Sequence, residues 1–164
     1  MKTISASCSK CGAKALLPSK LSVTRKVAGH AFKDDLDATT CGACGEELID
    51  GKSIEGFDLR IALELARAGI ATPDALQFMR SATGLRAKEL AALLGLSAEH
   101  VSRVEKGKAP ADKRTVALLA AVLEDQEEGT TRTLDQLRAQ GHPRKLSGTI
   151  RFHKPSAAKT GRNR

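Results

Sequence analysis

The chain has no tryptophan and no tyrosine, and four phenylalanines are the only aromatic residues in 164 positions. A core without large rings must be filled by Leu, Ile, Val and Ala, which favours helices and keeps any β portion small. No apolar run approaches the ~18 residues needed to span a bilayer. At the N-terminus Cys8, Lys10 and Cys11 interrupt the apolar stretch that a signal peptide requires. The expectation is a cytoplasmic, nucleoid-associated protein with no membrane contact. Cysteine is scarce as well. There are only four, and in a reducing compartment such thiols serve as ligands rather than disulfides.

Catalytic groupings are also missing. His30, His100, His142 and His153 fall in different segments, and none sits in a nucleophile–base arrangement. Gly51-Lys52-Ser53 resembles the end of a phosphate loop, but the preceding glycine pattern and strand are absent. Glu46, Glu47 and Asp50 would also repel a phosphate. The chain is therefore expected not to be an enzyme.

What is present begins with charge. The formal net charge is +8, and its placement matters more than its size. Residues 1–52 carry 8 basic and 6 acidic side chains, residues 53–125 carry 10 of each, and residues 126–164 carry 9 and 3. The excess thus lies at the C-terminal end, where seven Lys/Arg and no acid follow Gln140. A basic tail beside a neutral domain points to a polyanion partner, although a solvated disordered tail would have the same composition.

Four segments follow from the patterning. Residues 1–52 hold the cysteines and the β-like text "KLSVTRKVAGHAF" and "DLDATT". Residues 53–71 form a connecting helix, with Ser53 as N-cap, Gly69 as stop and Ile54, Phe57, Ile61, Leu65 and Ala68 on one face. Residues 72–125 are a dense run of short helices. Residues 126–164 start with the acidic loop "QEEGTT", continue into a helix at 133–140 and end in the basic tail. The fold class expected is α+β: a small β-rich cysteine module, a linking helix, an all-α domain and a basic, disordered tail.

Cys8-Ser-Lys-Cys11-Gly and Cys41-Gly-Ala-Cys44-Gly are two knuckles, with 29 residues between Cys11 and Cys41. A C-x-x-C pair turns both sulfurs toward one ion, and the following Gly permits the tight turn. Two pairs supply the four thiolates that tetrahedral Zn²⁺ takes in closed structural sites. A rubredoxin-like iron site has similar knuckles, but nothing here supplies the aromatic shell that would keep it dry. A thioredoxin-like centre needs a βαβ setting that residues 1–52 cannot build. His30 is expected on the hairpin surface, outside the ligand set. With every position filled by protein, the metal holds together a segment too small to fold alone. The cysteine module and the helical domain are expected to be independent.

Residues 87–106 show a second local pattern. Leu90, Ala91 and Leu94 share a face of one helix. Gly95 suits a positive-φ turn, Leu96 plugs it, and Ser97 caps a second helix whose Val101 and Val104 point to the core. On a wheel of ~100° per residue, Glu99, Ser102, Arg103 and Lys106 share the outward arc, with His100 at its edge. A solvated helix face would look similar. The short, capped and turn-anchored setting instead suggests presentation to a DNA major groove. Arg103 can bond guanine O6 and N7 together. Glu99 can accept from cytosine N4 or orient Arg103. Lys106, Lys108, Lys113 and Arg114 flank this helix at positions suited to phosphates.

The text "MRSATGLRAKELAALLGLSAEHVSRVEKGKAP" resembles the XRE, or phage-repressor/Cro-like, helix-turn-helix family. It does so through Arg80, Gly84-Leu85, Glu89-Leu90-Ala91, Leu94-Gly95-Leu96-Ser97, Val101-Ser102-Arg103 and Glu105-x-Gly107. The resemblance covers residues 72–125. It implies a structural salt bridge between Arg80 and Glu105 and base-reading positions at Ala98, Glu99 and Arg103. Where the family carries a small cap followed by a Gln that contacts DNA, this chain has Arg86 and Ala87, so anchoring there would come from the charge of Arg86. The order of modules over residues 1–125 is similar to antitoxins of the MqsA/YgiT type. That similarity implies a homodimeric repressor bound to a palindromic operator of double-stranded DNA, with a zinc-bound N-terminal half that holds a toxin protein. The alternative is an XRE regulator without a toxin, whose zinc half binds another protein or senses metal. Helices at 112–124 and 133–140 are the expected dimer surface, and core packing would explain their amphipathic pattern equally well.

Overall fold

The computed structural model describes residues 7–141, together with 145 and 148. The rest of the basic tail, with His142 and His153, lies outside the described residues. The element order is β1 (Leu16–Val27), β2 (His30–Cys41), β3 (Glu47–Ile49), α1 (Gly51–Arg67), α2 (Pro73–Ala82), α3 (Ala87–Leu94), α4 (Ala98–Glu105), α5 (Lys113–Glu127) and α6 (Arg132–Gly141). The fold is an N-terminal antiparallel hairpin carrying the cysteines, followed by helices. Among the described residues no helix is long and apolar enough to cross a membrane.

The 29-residue separator makes a long hairpin. β1 and β2 pair without a break from Leu16↔Cys41 to Val27↔His30. The two-residue loop between them has Ala28 at φ 50° and Gly29 at φ 82°. Positive φ at both positions matches the right-handed strand twist, and it strains the alanine but not the glycine. β3, which had no signal in the sequence, pairs with β2 through Ala38↔Ile49, Thr39↔Leu48 and Thr40↔Glu47.

α1 begins three residues earlier than its apolar pattern suggests. Its N-cap is Asp50, without a side-chain cap bond, so Ser53 lies inside the helix. Gly69 does end the turn, at φ 68°, and the Gly69 N–H reaches Ala66 O. The buried face is broader than one stripe. Phe57, Ile61 and Leu65 are buried as the spacing suggests, and so are Ala62, Leu63 and Ala66, whereas Ile54 stays 37% exposed and Ala68 is exposed. The extra burial arises because α1 packs against both α2 and α5 and also touches β2. It is therefore the central helix of the helical body rather than a connector.

The half of the hairpin between the Leu21↔Leu36 pair and the turn joins the same core. Val27 and Leu36 are buried in one cluster with Phe57, Ile61, Leu76 and Met79. Arg25 of β1 lies 2.8 Å from Asp58 of α1 and over the Phe78 ring of α2 at 5.3 Å. Arg60 pairs with Asp34. These contacts run against the expected independence of the two modules. A separate small cluster of Cys8, Leu16 and Cys41, with Ala13, Ala15 and Leu48 against it, surrounds the sulfurs at the other end of the hairpin.

α5 runs three residues past the expected helix end at 124, to Glu127 inside the expected loop, with Asp112 capping its start through the Arg114 N–H. Its Val116, Leu119, Val122 and Leu123 are buried within this chain. In α6 Leu134 is buried. The apolar residues of the expected dimer surface are thus largely used inside the chain. Among the described residues the large exposed hydrophobics are Ile54 and Leu96.

Burying a leucine contributes ~1.5–3 kcal/mol, so the hairpin carries weight for the helices as well. Leu36→Ala is expected to cost about 2–4 kcal/mol and to lower the midpoint of urea unfolding followed by helical circular dichroism. An unchanged midpoint would mean that the hairpin does not share the helical core.

Candidate metal centre and DNA interface

The four sulfurs converge. Cys8 Sγ lies 3.8 Å from Cys44 Sγ and Cys11 Sγ 3.7 Å from Cys41 Sγ, and all four lie within 4.8 Å of one another. A tetrahedral ion with metal–sulfur bonds of ~2.3 Å places its sulfurs roughly 3.8 Å apart, so the cluster has the dimensions of a closed four-thiolate site. The knuckles are the same turn made twice. The Gly12 N–H donates to Cys8 O at 2.9 Å and the Gly45 N–H to Cys41 O at 2.8 Å, with φ at 73° and 72°. A residue with a Cβ at either glycine would be strained.

The strands position the knuckles. Cys41 is the last residue of β2, held opposite Leu16, and the Gly42 N–H extends the ladder to Ala15 O at 2.8 Å. Lys10 of the first knuckle reaches Glu46, just beyond the second, at 2.6 Å. This clasp links residues 36 apart, and no local signature in the sequence announces it. His30 sits at the opposite end of the hairpin, beside Phe32, well outside the cluster.

Backbone N–H groups of Ala43 and Cys44 lower the Cys41 thiol to about 7. The Glu46 N–H pulls on Cys44 in the same direction, but the neighbouring Cys11 sulfur and burial push that thiol up to about 12. Four thiolates this close repel one another, and a soft divalent cation removes that penalty.

The second site is built on α3 and α4. Gly95 turns the chain at φ 66°, and the Leu96 N–H donates to Ala91 O at 2.8 Å. Ser97 Oγ accepts the His100 N–H at 3.1 Å. Val101 and Val104 are buried, so the opposite face of α4 looks outward. Leu96 does not plug the turn; it stays 40% exposed, because the turn lifts it off the core.

Arg80 locks this arrangement. Its Nε and Nη2 meet Glu105 at 2.5 and 3.2 Å, and its Nη1 donates to Leu85 O at 2.7 Å. The side chains are 13% and 11% exposed. Thr83 Oγ1 donates to Arg80 O, and Gln126 of α5 donates to Thr83 O at 3.0 Å. One chain of polar contacts therefore joins α2, the start of α3, α4 and α5.

Ala98, Glu99, Ser102, Arg103, Lys106 and Lys108 line one shallow depression on the outer face. His100 is not among them. It borders a different, apolar depression with Leu94, Leu96 and Thr115, since the helix turns it toward α5. Glu99 makes no ion pair with Arg103. Its carboxyl is held below the usual range by its own backbone N–H and by the Ser97 hydroxyl, so it does not orient the guanidinium. Every other arginine of the described residues has a carboxylate within ion-pair distance, and Arg103 has none.

The expected phosphate contacts divide. Lys106, Lys108 and Lys113 have no acidic partner among the described residues, while Arg114 leans on Asp112 at 3.5 Å. Arg86 is tied to Glu89. The Glu89 carboxylate accepts the Arg86 backbone N–H at 2.7 Å and its guanidinium at 2.7 Å. These two bonds, the guanidinium first, draw the Glu89 carboxyl down to about 2. Arg86 supplies the start of α3 with an exposed capping pair, and its charge is already partly neutralised.

Fold and site together show a helix-turn-helix domain preceded by a four-cysteine hairpin. Residues 74–130 match the family model described as a helix-turn-helix domain, a stretch that ends just beyond α5. No curated protein matches the chain. The matched domain supports a DNA-binding regulator, and the clustered cysteines support a metal site.

Titration of the reduced full chain with cobalt(II) is expected to reach an endpoint at about one ion per chain, with the intense visible bands of a tetrahedral thiolate complex. Cys44→Ser should weaken binding at least tenfold. Bands of six-coordinate cobalt would contradict the four-sulfur geometry.

Proposed function

We propose that this chain is a non-catalytic, sequence-specific transcriptional repressor that places α4 in the major groove of an operator. The observation that carries this reading is Arg103. It lies on the outer face of α4 and is the arginine of the described residues left without a carboxylate. A guanidinium kept free in this way is ready for the paired acceptors of guanine. Ala98 would meet an apolar edge such as a thymine methyl, and Ser102 is close enough on the same face to bond a neighbouring base or phosphate. Glu99, which makes no ion pair with Arg103, would act as an acceptor for cytosine N4. Lys106, Lys108 and Lys113 would take phosphates and make affinity fall with salt.

The cysteine cluster is read as a structural Zn²⁺ site on ligand type and spacing. A homodimer on a palindromic operator follows from the usual geometry of such domains. With the apolar residues of α5 and α6 engaged internally, its interface would be more polar than the sequence pattern suggested. Module order supports a narrower version, in which the chain is an antitoxin whose hairpin half holds a toxin. The alternative is a regulator whose hairpin half binds another protein or senses metal. A stoichiometric partner encoded beside this chain and co-purifying with it would separate the two.

Selection from random duplexes yields the operator. On that duplex Arg103→Ala is expected to weaken specific binding about 10- to 100-fold and to erase the preference for one guanine. Binding to unrelated DNA should change little. An unchanged operator affinity and preference would refute the reading.

A further inference from the structure

Residues 48 and 49 are neighbours in β3, yet their side chains serve two different clusters. Leu48 packs against the group that contains Cys8 and Cys41, while Ile49 packs against the helical core. This is the alternation of a strand, placed where the two clusters meet. The strand is short. Its three pairs with β2 end where the Cys41 N–H donates to Glu46 O at 2.8 Å, inside the second knuckle. Asp50 follows directly and begins α1, the most deeply buried helix.

The other end of the hairpin makes a second connection. Val27 and Leu36 are buried among helical side chains, and Arg25 is held between Asp58 and Phe78. Asp58 Oδ1 is buried and has no well-directed hydrogen bond besides this ion pair. The hairpin is thus fastened to α1 and α2 along the half nearer its turn, and the chain leaving the knuckles feeds α1 at its base. An isolated two-stranded hairpin is marginal in water, so whatever closes its base also supports what that half holds.

We propose that occupancy of the four-cysteine site controls the stability of the helix-turn-helix, transmitted through β3 into α1 and through the Arg25–Asp58–Phe78 clasp. Loss of the ion frees the knuckles, unpins β3, and loosens the packing of Ile49, Val27 and Leu36 on α1. The consequence for gene control, operator release on metal loss, rests on the DNA-binding reading above.

Hydrogen exchange of the full chain under reducing conditions, zinc-loaded and chelator-stripped, tests this directly. Stripping is expected to speed amide exchange in residues 57–66 at least tenfold, together with residues 16–49. A rise confined to residues 7–49, with 57–66 within twofold, would overturn the proposal. The paired variant R25A/D58A removes the clasp without leaving a buried charge. It should still give the tetrahedral cobalt spectrum, while the stripped-to-loaded exchange ratio in α1 falls at least threefold below that of the wild type. A ratio equal to the wild type would remove the clasp from the route and overturn that part. Operator affinity, measured in parallel, is expected to drop at least tenfold on stripping. A zinc-loaded protein that binds no duplex would refute the DNA-binding reading, and the exchange comparison would still decide the coupling.

Discussion

The nearly buried ion pair between Arg80 and Glu105 is the constraint on which the DNA face depends. α4 is eight residues long, too short to hold its own orientation in water. Two valines fix which side faces inward, but two apolar contacts permit rocking. Arg80 removes that freedom by gripping the end of α4 with two nitrogens and the carbonyl at Leu85 with a third. The grip is itself supported, since Thr83 and Gln126 tie the end of α2 to α5. Such a pair specifies geometry more than it adds net stability, because desolvation offsets much of the attraction.

The charge pattern follows from the same economy of partners. Most exposed arginines settle onto a nearby carboxylate, and such pairs contribute little. On α4 the acids are removed from competition. Glu105 is taken by Arg80, and Glu99 makes no ion pair with Arg103 although it shares the same outer depression. Arg103 is left with no internal acceptor. The +8 net charge would assist any approach to a polyanion, but specificity in this account comes from one guanidinium on a fixed helix.

Local features were legible in the sequence, and distant pairings were not. Gly95 and Ser97 sit within a few residues of what they control, so the turn and cap could be placed by residue type alone. The C-x-x-C-G knuckles were equally clear, because each closes a turn through its own glycine. The hairpin docking was hidden, since nothing in "KLSVTRKVAGHAF" states that Val27 and Leu36 meet Phe57 and Ile61. β3 is three residues long and leaves no period to detect. α1 was read as a one-faced connector because Phe57, Ile61 and Leu65 dominate its pattern, whereas Ala62 and Ala66 are too small to advertise a second buried face. Leu96 departs from its expected place for a related reason. Residue type marks a side chain as apolar but not the neighbour it meets.

The most direct measurement is the urea stability of Arg80→Met beside the wild type, read by the helical signal. The substitution keeps an apolar stem and leaves Glu105 nearly buried without its partner. A loss of about 3 kcal/mol is expected. Most of that loss should be recovered when Glu105→Leu is added, because no unpaired charge then remains. A loss within ~0.5 kcal/mol, the range of ordinary surface substitutions, would contradict the claim that this pair holds the outward-facing helix in place.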